Sequence, residues 1–165
     1  MIGRIFLVIF LILQPFLGNL IINKFGGNLN KKNRGWYDKL IQSPLTPPSI
    51  VFPIVWSILY LLLGLSAVFY LYGKDLLKNL TKYIIPYELQ MFLNFSWSVV
   101  FFGLQKPKIS LYIIFAMIIL TAYLLWISWN NKSKIAFWTL LPYGIWILFA
   151  MYLNFYIVIK NKKIL

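Results

Sequence analysis

The sequence predicts an all-α integral membrane protein, a bundle of five transmembrane helices forming one domain over residues 1–165. Three observations predict it. The chain is 61% hydrophobic and only 12% charged, where a soluble domain is about 45–50% apolar and about 25% charged. Its mean hydropathy is +0.79. Its charges also fall between long apolar runs rather than along them. About 20 apolar residues, rising about 1.5 Å each, cross a hydrocarbon core about 30 Å thick.

The first run places a span over residues 5–25. It follows Arg4, is long for a leader's apolar region and has no small-residue cleavage site after it. It therefore reads as a retained helix rather than a signal peptide. Residues 26–46 follow as a long first loop over the bundle, and loops of this length in compact domains are commonly lids. The next apolar stretch opens with Ser43-Pro44-Leu45-Thr46-Pro47-Pro48, which cannot be helical throughout, so the second span covers 48–71. Pro53 falls inside that span and is expected to kink it. Pro86 fits a first helical position and opens the third span, 86–104, with Glu88 as a cap-like acid near the positive helix end. The fourth and fifth spans cover 109–130 and 135–159. The links Gln105–Lys108 and Asn130–Lys134 are short, which implies antiparallel neighbours.

Five spans put the termini on opposite sides. Six Lys or Arg residues fall on the N-terminal side and ten on the other. The positive-inside rule then places the C-terminus in the cytoplasm. The net charge of +13 is scattered over the loops, so it reads as anchors facing anionic headgroups, not as a nucleic-acid surface.

The chain has no Cys and no His. That removes thiol catalysis, disulfides, His-based triads, haem ligation by His or Cys and the usual zinc sites. Three acids in total leave little for paired-carboxylate chemistry. No metal and no obligatory cofactor are expected. Any chemistry must use aromatics, amides, hydroxyls or a bound ligand.

The candidate functional residues follow from that inventory. Trp36 and Tyr37 in the long loop suit either an interfacial aromatic belt or a pocket lid. Gln90 and Asn94 are four apart on the third span, followed by Trp97 and Ser98. Amides in hydrocarbon need partners, so they either glue helices together or meet a polar group on a ligand. Trp146, Ala150 and Asn154 share one face of the fifth span. Leu153, Tyr156 and Lys160 fit a loose pattern proposed for sterol contact. One picture unites these residues: an apolar pocket holding a flat aromatic ligand, stacked on Trp and covered by the loop.

The motifs also carry a family resemblance. They run in order as Gly35-Trp36-Tyr37; Pro47-Pro48; Val51-Phe52-Pro53-Ile54-Val55-Trp56; Leu59-Tyr60; Gly64; Gln90; Leu93-Asn94; Trp97-Ser98; Phe101-Phe102-Gly103; Leu141-Pro142-Tyr143; Trp146; Phe149-Ala150; and Leu153-Asn154. In these the chain resembles the tryptophan-rich sensory protein and translocator family (TspO/MBR, the peripheral-type benzodiazepine receptor family). The resemblance implies five membrane helices, a homodimer and a pocket opening toward the first loop. It implies binding of porphyrins, with sterols or benzodiazepine-type compounds as further ligands, by a sensor, regulator or transporter. The ligand-binding set is then Trp36, Tyr37, Pro47, Trp56, Gln90, Asn94, Trp97, Ser98, Trp146 and Ala150. The alternative it implies is a light- and oxygen-dependent enzyme that degrades porphyrin, with Trp56 and Trp146 as the catalytic pair. The family's loop commonly reads Lys-Pro-x-Trp-x-Pro-Pro; here the proline is one place later and Leu45 stands for the tryptophan. The expected location is a bacterial cell membrane, and the Lys-, Asn- and Ile-rich usage fits an AT-rich genome.

Overall fold

A computed structural model describes residues 9–14, 35–72, 74–75 and 78–162. Most of the expected 5–25 span and residues 26–34 of the long loop lie outside the described residues, as does the N-terminal part of the charge count. Among the described residues every regular element is helical. The long helices are α1 (Val51–Leu71), α2 (Ile85–Ser98), α3 (Pro107–Asn130) and α4 (Lys134–Lys160). Two π turns, Leu80–Ile84 and Val99–Gly103, extend α2 at either end. Three of the helices, α1, α3 and α4, are long and apolar enough to cross a bilayer. Their exposed faces are apolar too, with Ile54 and Ile58 on α1, Phe115 and Ile119 on α3, and Ile145 and Leu148 on α4. That suits lipid as the solvent.

Helix α4 packs against α3 and α1, and α3 against α2. The helical residues 9–14 close the ring between α1 and α2. Leu11 is buried, its carbonyl accepts from Tyr87 Oη at 3.3 Å, and Gln14 donates to the Glu88 carboxylate. Gly64 makes the approach possible. A Cβ there would lie 2.7 Å from the Leu11 carbonyl oxygen and 2.8 Å from Ile12 Cα. Small residues let helix backbones meet in a membrane.

Three details refine the expectations. Helix α1 begins at Val51, not 48, so Pro53 sits in its first turn. The amides there have no intrahelical acceptor in any case, and the kink has no cause. Pro86 stands in the first turn of α2, as expected, but the π turn from Leu80 already leads into it. Pro86 has no N–H for the carbonyl of Lys82 four residues back; that carbonyl instead accepts from Tyr123 Oη at 2.9 Å. Glu88 lies in the first turn of α2, as expected, and also accepts from Gln14.

The short links close with left-handed residues. Gln105 has φ 56° and Lys132 φ 57°. After α3, Lys132 N donates to Trp129 O at 3.1 Å and Ser133 N to Ser128 O at 3.0 Å, the paired bonds of a Schellman turn. Glycine usually holds the left-handed position, where a side chain costs roughly 1–2 kcal/mol.

Candidate functional site

A polar belt crosses the centre of the bundle. Tyr60 Oη on α1 donates to Asn94 Oδ1 on α2 at 3.0 Å. Asn94 Nδ2 donates to Tyr143 Oη on α4 at 3.0 Å, and Gln90 Nε2 donates to the same oxygen at 2.6 Å. Gln90 and Asn94 are both buried. Four side chains from three helices therefore satisfy most of one another's polar demand where water is excluded.

Three indoles stand one turn to one side of this belt. Helices α2 and α4 run in the same direction and α1 runs against them. Trp97 is three residues beyond Asn94, Trp146 three beyond Tyr143, and Trp56 four before Tyr60. All three steps lead toward the same end, by roughly 5 Å at about 1.5 Å per residue. Trp56 lies 5.3 Å from the Tyr60 ring and 6.4 Å from Tyr143. Trp146 packs edge-on to Phe52 at 6.2 Å, and Trp97 stacks on Phe101 at 5.1 Å. Two of the three have a buried indole N–H with no acceptor, those of Trp97 and Trp146. An unpaired donor in hydrocarbon is costly.

The loop caps this end. Trp36 meets Phe101 edge-on at 6.0 Å, and Tyr37 meets Phe102 at 5.5 Å. The π turn Val99–Gly103 widens the helix there, closing with Leu104 N to Val99 O at 2.9 Å, and turns both phenylalanines to the loop. Burial, and then the Asp38 carboxylate, raises the Tyr37 pKa, so this phenol stays neutral. The loop is stapled to the end of α4. Asn161 is buried and takes both backbone groups of Ile41, accepting from its amide at 2.9 Å and donating to its carbonyl at 3.0 Å. Ser43 Oγ and Tyr152 Oη share a bond of 3.0 Å.

The structure thus gathers Trp36, Tyr37, Trp56, Trp97 and Trp146 on the loop side of the belt that holds Asn94. Ala150, one turn past Trp146, is half-buried, as are Ser98, four past Asn94, and Pro47 in the loop before α1. Gln90 stands apart. It lies one turn on the other side of the belt and props Tyr143 from beneath. Whichever way its amide is turned, one of its two polar atoms is bonded and the other is buried unpaired. Asn154 is spent on structure, accepting from Ser110 Oγ and donating to Pro107 O, each at 2.9 Å. Leu153 is buried while Lys160 is exposed over Tyr156, so the sterol-type pattern does not form one lipid-facing strip. Leu45 is 63% exposed, pointing away from the packed part of the loop. Sequence reasoning missed Asn161 and Tyr143 as site-shaping residues. For Tyr143 the signal was its place in the motif Leu141-Pro142-Tyr143, which named the residue but not its role.

Comparison with known proteins agrees with the motif order. The model of the TspO/MBR family matches residues 11–159. The tryptophan-rich protein TspO of Chlorobaculum tepidum is 32% identical over 86% of this chain and 90% of its own length. The tryptophan-rich protein TspO of Archaeoglobus fulgidus is 37% identical over 76% of this chain and 80% of its own. The tryptophan-rich sensory protein of Cereibacter sphaeroides is 31% identical over 73% of each.

Proposed function

The chain belongs to the TspO/MBR family and is an integral membrane protein, and from that premise we propose that it binds porphyrins between the polar belt and the loop, as a sensor or transporter. The observation that carries this reading is the pair of buried, acceptor-less indole N–H groups at Trp97 and Trp146. A tetrapyrrole supplies what they lack: a flat apolar face for the rings and carboxylate or nitrogen acceptors for the donors. Asn94 and Tyr60 offer polar contact from below, and Trp36 and Tyr37 shield the site from above. Ala150 leaves room for the macrocycle's edge. The name of the Cereibacter relative supports sensing. Other flat hydrophobic ligands, of sterol or benzodiazepine type, suit the same walls. The bilayer and a second copy of this chain complete the assembly we envisage, with the C-terminus in the cytoplasm.

A second reading is supported by the position of Trp56 and Trp146 on facing helices. Under light and oxygen, a bound porphyrin is its own photosensitiser, and these two indoles are the oxidisable groups beside it. The porphyrin is then a substrate.

The test is quenching of tryptophan fluorescence by protoporphyrin IX in detergent, first in the dark and then under light. Saturable dark quenching, weakened at least tenfold in a Trp56→Phe/Trp146→Phe double variant, is the expected result. Loss of the porphyrin's absorbance, with a new product only in the unsubstituted protein, would favour the degradative reading. Non-saturable quenching would remove the porphyrin assignment.

A further inference from the structure

The end of the bundle opposite the loop carries a groove of about 450 Å³. Lys74, Lys132, Ser133 and Lys134 line it together with apolar Phe69 and Ile135. Two of the lysines have contacts of their own. Lys74 Nζ donates to Ser133 Oγ at 2.8 Å and lies 3.7 Å from the Tyr70 ring centroid. Lys134 Nζ lies 5.6 Å from the Trp129 ring. Burial pulls the Lys74 pKa down, a penalty that an anion in the groove would relieve. Asp75, the acid next to Lys74, is exposed, and its Oδ1 faces the Lys78 amide at 3.5 Å.

Lys132 is the telling residue. It occupies the left-handed position of the Schellman turn, at φ 57°, where glycine would be relaxed. The strain brings no bond to the turn that glycine would not also make. What it brings is a third cation at the groove. Exposed Trp126, Trp129 and Trp138 stand at this same end of α3 and α4, and exposed indoles mark the headgroup level of a bilayer.

We propose that this groove binds an anionic phospholipid, its headgroup held by Lys74, Lys132, Ser133 and Lys134 and its first acyl segment lying along Phe69 and Ile135. Charge complementarity selects the occupant. A zwitterionic lipid brings its own ammonium among three others, whereas an anionic one does not. The mixed cationic and apolar lining, at the end of the bundle that carries the exposed indoles, fits a lipid rather than a soluble anion.

The test is native mass spectrometry of the full chain in detergent, with phosphatidylglycerol and phosphatidylcholine of matched acyl chains. Phosphatidylglycerol is expected to bind at least tenfold more tightly. Each lysine removed should weaken it by roughly fivefold, from the usual attraction of one basic residue to an anionic surface. Lys132→Gly is the decisive variant, because it relaxes the turn while removing the cation. Its phosphatidylglycerol affinity should fall while its melting temperature holds or rises. A Lys74→Gln/Lys134→Gln double variant should lose about thirtyfold. Equal retention of the two lipids, or unchanged phosphatidylglycerol binding in Lys132→Gly, would overturn the site. Competition by glycerol phosphate at the lipid's own concentration would overturn its assignment to a lipid.

Discussion

The two halves of the bundle, on either side of the Tyr60–Asn94–Tyr143 belt, use the same kinds of residue differently. On the side away from the loop, aromatics pack on one another. Tyr70 stacks on Tyr83 at 3.8 Å between centroids, with planes 10° apart, and Tyr83 on Tyr87 at 6.3 Å. Polar groups there mostly serve structure, as where Asn131 Nδ2 donates to Tyr70 Oη at 3.2 Å and to Ile127 O at 2.9 Å. The tight approach of Gly64 to the Leu11 backbone is in this half as well. On the loop side the indoles of Trp56, Trp97 and Trp146 stand on three separate helices, and two keep unpaired donors. The first half is packed ring on ring, although Gln14 Oε1, Tyr83 Oη and Gln90 Oε1 are buried there without a partner. In the loop half the unpaired groups are indole donors on two facing helices, the groups the proposed ligand would use.

The largest expected effect breaks the ring-packed half. Gly64→Val drives side-chain atoms into the Leu11 and Ile12 backbone, which cannot yield as a side-chain tip does. Unfolding stability should fall by about 3 kcal/mol, near the top of the range for overpacking. Thermal melting in detergent measures it, and a change under about 0.5 kcal/mol would mean that residues 9–14 pack elsewhere. Next comes the belt. Tyr143→Phe removes the acceptor shared by Gln90 and Asn94 and leaves two buried amide donors unpaired. A loss of about 2 kcal/mol is expected, with weakened porphyrin binding in the same titration; a stable variant with full affinity would show the belt to be incidental.

Smaller effects sharpen the loop half. Asn161→Ala undoes both bonds to Ile41, at a cost of about 1 kcal/mol. Proteolysis within residues 35–46 should quicken while the melting temperature changes little. An unchanged cleavage rate would mean that the Ser43–Tyr152 bond and the Phe101–Phe102 contacts hold the loop alone. The smallest stability change should come from Trp97→Phe. It deletes a donor that has no partner, so stability should stay within about 0.5 kcal/mol of the parent. Porphyrin affinity should nonetheless fall about tenfold, the scale of one central contact. Equal affinity by absorbance titration would remove Trp97 from the site.

The apolar runs were legible because hydrocarbon demands them residue by residue. The last two helices begin and end within two residues of the expected 109–130 and 135–159. What the sequence hid depends on distant partners. Pro86 reads locally as a helix start; the π turn leading into it, whose Lys82 carbonyl accepts from Tyr123 across the bundle, was not visible. Asn161 reads as a polar residue after a span, and its bond to Ile41 joins positions 120 apart. Of the candidate site, the tryptophans and Asn94 were visible through motif order and helical spacing. Their alignment on one side of the belt was not, because it needs the relative direction and depth of three helices. Gln90 shares a face with Asn94, yet that face spans the belt, so spacing alone could not say on which side it falls.

The most direct test of the central claim is the NMR spectrum of the indole N–H groups, in ¹⁵N-labelled protein titrated in the dark with protoporphyrin IX. The chain has seven tryptophans and so seven such signals. If the unpaired donors serve the ligand, the Trp97 and Trp146 signals should move downfield as they gain acceptors, while exposed Trp126, Trp129 and Trp138 stay in place. Movement of the exposed indoles with Trp97 and Trp146 unchanged would contradict the account and put the porphyrin on the surface of the bundle.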